Sequence, residues 1–160
     1  MPYIDRSDTK IFFDLAGSGE PVITTHGFHE NGTYWGLTGV SGALVDAGYR
    51  VADMDMRGHG RSAPNGPGIR YDVDAVAADI GAVADALGFE RFHLLTHATG
   101  GIAGLRYAMS HSDRLLSIIS TDTGSGTIPW PEYCEPEWDD KPIPAADTVD
   151  VGALMGGFVL

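Results

Sequence analysis

Apolar and polar positions alternate in short blocks along the first 121 residues. Residues 3–7 and 11–15 predict two short strands, and Ala16-Gly17-Ser18-Gly19 is expected to break the second. Val22–Thr25 is a β-branched run that ends at His26-Gly27. Residues 28–39 are polar and glycine-rich and read as loop. Ser41–Ala47 predicts a helix closed by Gly48, and Arg50–Asp55 another strand. Residues 57–70 hold four glycines and two prolines, which predicts a loop. The strongest helical pattern is Asp72–Leu87. Val73, Val76, Ile80, Val83 and Leu87 share one face there, and Gly88 ends it. Phe92–Thr96 predicts a buried strand, Gly100–Ser110 a helix, and Leu115–Thr121 a last strand too apolar on both faces to be exposed.

Strands that alternate with helices predict an α/β domain with a mainly parallel sheet. The texture changes after Thr127. Residues 128–147 carry five prolines, two tryptophans and six acidic residues, so the alternation stops. This divides the chain into a core over 1–128 and a Pro-rich segment over 129–160, the expected start of a cap. The last residues, Gly-Gly-Phe-Val-Leu, are apolar to the end, and the expectation is that more chain follows Leu160.

Composition narrows the function classes. Ten basic residues stand against 22 acidic ones, a formal charge of −12, which disfavours nucleic-acid and anionic membrane partners. A hydrophobic fraction of 43% argues against bulk disorder. Cys134 is the single cysteine, so no intrachain disulfide is expected, and no CxxC or HExxH motif predicts a metal. The N-terminus does not read as a secretion signal, and there is no run of 18 apolar residues. The expectation is a soluble cytoplasmic protein with no metal and no cofactor. The sequence does not set its oligomeric state.

Three segments carry chemistry. They are His26-Gly27-Phe28 after a strand, Asp55-Met56-Arg57-Gly58-His59-Gly60-Arg61-Ser62 after the next, and Thr96-His97-Ala98-Thr99-Gly100-Gly101 between a strand and a helix. The tight strand-to-helix turn would project residue 98 into the crevice at the carboxyl ends of the strands. The Thr99 N–H would lie at a helix N-terminus, where a developing anion is stabilised.

In letters, order and spacing these segments resemble the α/β-hydrolase fold superfamily, in its serine esterase and lactonase-like branch, over roughly residues 3–128. The resemblance implies a mostly parallel sheet flanked by helices, here without the C-terminal strands. It implies hydrolysis of a small-molecule ester, thioester or lactone, with position 98 as the nucleophile and the N–H groups of Phe28 and Thr99 as oxyanion donors. Position 98 is Ala, which cannot attack a carbonyl, and the family's catalytic His is missing, so the chain as it stands is expected to be inactive. Two accounts of Ala98 stand: replacement of a native Ser or Asp to trap a substrate, or divergence to a binding role. An Asp there would imply epoxide hydrolysis or dehalogenation instead. A non-catalytic ligand-binding module is the other alternative. Thr96 also replaces the family's usual glycine, which is expected to tighten the turn.

The family's catalytic His follows an eighth strand, beyond the six read here. Asp122, at the end of the sixth, is the candidate acid in some branches; its other reading is a turn residue bonded to its own backbone. His29 and Trp35 are the candidate substrate contacts. His26 and His59 are expected to satisfy backbone groups, His97 to pack beside the turn, and Arg57 and Arg61 to form structural ion pairs. Trp130, Tyr133 and Trp138 are candidate cap residues, or part of a collapsed surface segment.

Overall fold

The computed structural model describes residues 2–62 and 68–123. The expected boundary at 128/129, the Pro-rich segment with Trp130, Tyr133 and Trp138, and Cys134 lie outside the described residues.

Among the described residues there are six strands: β1 (Tyr3–Asp5), β2 (Lys10–Gly17), β3 (Pro21–Thr25), β4 (Arg50–Met54), β5 (Phe92–His97) and β6 (Leu115–Thr121). Four helices accompany them: α1 (Thr33–Leu37), α2 (Val40–Asp46), α3 (Val73–Leu87) and α4 (Thr99–His111). The sheet order is β1-β2-β4-β3-β5-β6. The β1–β2 and β2–β4 pairs are antiparallel, whereas β3–β4, β3–β5 and β5–β6 are parallel. The expected α/β class with a mostly parallel sheet is therefore present.

Neighbouring residues on the strands point to opposite faces, and this divides the core. Ile23, Ala52 and Leu94 join Ile11, Phe13, Ile80, Val83 and Tyr107 in one cluster. Val22, Val51 and Leu95 join Trp35 in another. Burial on both faces is why these strands read as continuous apolar runs.

Helix α3 begins where Asp72 accepts the Ala75 N–H at 3.0 Å and ends at Gly88, whose φ of +70° suits glycine. Ile80 and Val83 of its apolar face are fully buried. The Pro-rich part of the expected loop after β4, residues 63–67, lies outside the described residues, but Gly60–Ser62 forms a 3-10 turn.

Three expectations need correction. Residues 28–39 are not all loop, because they contain α1. Asn31 Oδ1 accepts from the Thr33 N–H (3.0 Å) and hydroxyl (2.6 Å), and Trp35 anchors the turn in the core. Five residues are too few for a helical period to show. Strand β2 is not broken at Ala16, since it pairs with β4 as far as Gly17. Strand β6 is not too apolar to be exposed: Ile119 is 58% exposed, because β6 is the outer strand of the sheet among the described residues.

Candidate active site

A single residue, Ala98, separates β5 from α4. Its φ of +48° and ψ of −119° are unusual for a residue with a Cβ. Partners on every side hold the turn in this shape. The Ala98 N–H donates to Thr121 O (3.0 Å). The Ala98 carbonyl accepts from the Thr123 hydroxyl (3.0 Å) and the Gly101 N–H (2.9 Å), and the Gly100 N–H donates to His26 O (3.1 Å).

Glycine is required twice in this turn. A Cβ on Gly100 would lie 2.5 Å from His26 O, and one on Gly101 would run into Thr123 Oγ1. Thr96, two residues before Ala98, is fully buried and donates to Ser120 Oγ at 3.0 Å. Its methyl occupies the space that a side chain at Gly104 would need. Gly104 thus leaves room for the Thr96 methyl.

The loop after β3 faces the elbow. A Cβ on Gly27 would lie 3.3 Å from the Ala98 Cβ. His26 is fully buried and donates from Nδ1 to Gly27 O (2.8 Å), while its Nε2 accepts the Met56 N–H (2.9 Å). Burial pushes this imidazole below its ordinary pKa. Glu30 accepts the Gly27 N–H at 2.6 Å. Asp55, 1% exposed, ties this loop to the one after β4: it accepts the Gly32 N–H (2.6 Å) and the Arg61 N–H (2.7 Å). A Cβ at Gly60 would strike the Asp55 carboxylate, so that loop needs glycine there.

The N–H groups of Phe28 and Thr99 donate to no other described residue. Both residues line a cavity of about 580 Å³, whose walls include Met56, His59, Val76 and Ile102. Mainly apolar walls, lined by two residues whose N–H groups have no partner among the described residues, can hold an apolar group that carries an anionic or carbonyl oxygen.

The other candidates fall around this centre. Asp122 has a φ of +53°, is exposed, and hydrogen-bonds to no described residue through its carboxylate; Gly124, the end of the turn in the alternative reading, lies outside the described residues. It lies between Thr121 and Thr123, the two residues that hold Ala98. His29 is exposed, with its ring edge-on to Phe28 at 5.1 Å. Trp35 is 4% exposed and donates its indole N–H to Thr25 O (3.2 Å). Neither is among the described residues that line the cavity, and Trp35 supports the loop from within the core.

His97 stacks on Tyr34 at 4.8 Å and lies 3.6 Å from Glu30. Burial, Glu30 and Asp122 push the Tyr34 phenol above its ordinary pKa. Glu30 and Thr123 were not legible as site residues. The three-residue step from Gly27 to Glu30, a turn spacing, was the one available signal.

Arg57, which also lines the cavity, and Arg61 form the expected ion pairs. Arg57 is buried and grips Asp79 through Nε (2.6 Å) and Nη2 (2.8 Å), and Asp8 through Nη1 (3.0 Å). Arg61 pairs with Asp14 at 2.6 Å and lies over the Phe12 ring. Among the described residues no group of three His, Cys, Asp or Glu side chains is placed to hold a metal ion. No helix among them is long and apolar enough to cross a membrane.

The family model described as alpha/beta hydrolase fold matches residues 20–149. The chain belongs to this family. It is 41% identical to a non-heme haloperoxidase of Rhodococcus erythropolis over 112 residues, 69% of this chain and 39% of that protein. It is 36% identical to a fluoroacetate dehalogenase of Burkholderia sp over 122 residues, 74% of this chain and 39% of that one. Among solved structures, an enzyme that degrades N-acyl homoserine lactone superposes with a TM-score of 0.72 at 29% identity, covering 98% of this chain and 55% of that one. This α/β-hydrolase chain thus spans about two-fifths of the length of those curated relatives.

Proposed function

We propose that the elbow is the oxyanion half of a site for a small-molecule ester, thioester or lactone, and that Ala98 leaves it able to bind such a group but not to turn it over. One observation carries the reading: a non-glycine residue is held at φ +48° on the strand-to-helix turn, beside two N–H groups with no partner among the described residues. Backbone strain of this kind costs about 1–3 kcal/mol and persists where the surroundings impose it, commonly at functional sites.

In the reaction this geometry supports, a hydroxyl at position 98 would attack the carbonyl carbon. The Phe28 and Thr99 N–H groups would stabilise the resulting oxyanion, and Asp122 would orient a histidine base, which the family carries after an eighth strand and which is none of the six histidines among the described residues. Two unaided oxyanion donors are each worth a few kcal/mol in such a transition state. A methyl group at 98 removes the attack but not the binding. No cofactor or metal enters this scheme. The core over 1–128 supplies the site, and the segment over 129–160 would begin its cap. A cytoplasmic location, with neither nucleic acid nor membrane as partner, belongs to the same reading on composition.

The 36% identity to a fluoroacetate dehalogenase supports a second reading, in which an Asp at position 98 would attack an alkyl carbon. Two variants separate the readings. Without the histidine base both are expected to react slowly and once per chain: Ala98→Ser should be labelled by a fluorophosphonate in the serine-type reading, and Ala98→Asp should release one equivalent of fluoride from fluoroacetate in the other. For the unmodified chain, butyrate is the probe, titrated into ¹⁵N-labelled protein. Shifts centred on the Phe28 and Thr99 amides are expected, and their absence would overturn the binding site.

A further inference from the structure

His59 stands between the two loops of the site. Its Nε2 lies 2.8 Å from Phe28 O and its Nδ1 lies 3.1 Å from Arg57 O. Both partners are acceptors. A ring nitrogen that faces an acceptor must carry the hydrogen to bond it, and the shorter contact places an N–H on Nε2. The ring is edge-on to His26 at 5.1 Å and to Phe28 at 5.9 Å, and it forms part of the cavity wall.

The backbone around His59 is built to place this ring. Gly58 and Gly60 flank it with φ of +78° and +50°. Its own N–H donates to Met56 O (3.0 Å), and its carbonyl accepts the Ser62 N–H (2.9 Å). Asp55, holding the Arg61 N–H, fixes the far side of the turn.

The consequence falls on Phe28. The peptide that presents the Phe28 N–H has Gly27 O as its other end, and His26 Nδ1 holds that oxygen at 2.8 Å. The next peptide ends in Phe28 O, which His59 holds. An imidazole therefore pins each of the two peptide planes that meet at the Phe28 Cα. With both fixed, the direction of the Phe28 N–H is set before any ligand arrives, and that is the condition under which a donor stabilises charge without reorganising.

We propose that His59 is a positioning residue, whose Nε2–H grips the Phe28 carbonyl and so holds the Phe28 N–H in its direction toward the elbow. The proposal rests on the reading of that N–H as an anion donor. It adds a residue from the second loop, 31 positions away, to the support of the site.

The test compares three variants in the full chain. The amide of a His59→Gln side chain reaches the Nε2 position and keeps a donor for Phe28 O. His59→Asn keeps one only near Nδ1, toward Arg57 O, and His59→Leu keeps none. The ¹⁵N order parameter of the Phe28 amide, without ligand, is the first readout. It should be near the rigid-backbone value of about 0.85 in His59→Gln and fall toward the flexible range, below about 0.6, in the other two. Butyrate titration is the second. Affinity should stay within about twofold of native in His59→Gln and fall about fivefold in His59→Asn, the value of one net hydrogen bond. Equal order parameters in Gln and Asn, whether native-like or lowered, would overturn the role of the Nε2 bond. If the unmodified chain shows no butyrate shift at Phe28 and Thr99, the binding reading fails, and the order-parameter comparison still decides what His59 holds.

Discussion

The Thr123 hydroxyl donates to the carbonyl of Ala98 at 3.0 Å. The Ala98 N–H in turn donates to Thr121 O at 3.0 Å, so the last residue of β6 and the residue two beyond it clamp the strained turn from both ends of one residue. The clamp keeps φ at +48° although position 98 carries a Cβ. Glycine would adopt the same shape without strain but would lose more freedom on folding, a cost of about 0.5–1 kcal/mol. Strain relief of about 1–3 kcal/mol outweighs it. Ala98→Gly is therefore expected to raise the unfolding free energy by about 1 kcal/mol in urea titration. A loss of stability would mean that the turn is not strained.

The buried imidazole of His26 predicts an acid-sensitive loop. Burial holds its pKa below the ordinary value of 6.5 in the folded chain. Its Nε2 accepts the Met56 N–H, a bond that protonation would remove. Unfolding restores the ordinary value, so the unfolded chain binds a proton that the folded chain refuses. His26 thus contributes stability above about pH 6.5, and this contribution is lost as pH falls toward the depressed folded value. His26→Gln should be less stable than the native chain at pH 7.5, and the gap should narrow at pH 5. A gap that widened on acidification would contradict the assigned tautomer.

These two residues also mark what the sequence could and could not reveal. The elbow was legible because β5 leads into Gly100-Gly101 with no room for a loop, and only a sharp turn joins such a strand to such a helix. Helix α3 was legible from Val73 to Leu87, because a 15-residue helix shows its period and both of its caps. Helix α1 was not, since Trp35 is held by tertiary packing and not by local pattern. The exposure of Ile119 was equally hidden: an apolar run does not say whether its strand is central or outermost. The His59–Phe28 tie joins residues 31 apart, and only the folded sheet brings them within reach.

Asp79 is expected to be the most sensitive charged position outside the site. It is fully buried and accepts from Arg57 Nε at 2.6 Å, Arg57 Nη2 at 2.8 Å and Arg6 Nε at 2.9 Å. Asp79→Ala leaves the 3%-exposed Arg57 without its bidentate partner, and such a loss costs about 3–5 kcal/mol. The double variant Arg57→Met with Asp79→Leu removes both charges and should cost less than Asp79→Ala alone. Urea midpoints of the three proteins check this. If the double variant were the least stable, the pair would be a net source of stability and not a matched burial of charge.

Glycines of this chain should separate into two kinds on substitution. Gly60 has a φ of +50°, and a Cβ there would strike the Asp55 carboxylate that holds the Gly32 and Arg61 N–H groups. Gly60→Ala combines backbone strain with the displacement of a buried acceptor, and is expected to cost about 2–3 kcal/mol. Gly42 lies inside α2 with nothing within 4 Å of its Cβ position. Gly42→Ala adds a better helix former and restricts the unfolded chain, for a gain of about 0.5–1 kcal/mol. The opposite signs make thermal unfolding of the two variants a direct check on the Asp55 link. If Gly60→Ala were neutral, Asp55 could not be the tie that holds the two loops together, and the geometry assigned to Phe28 would lose one of its supports.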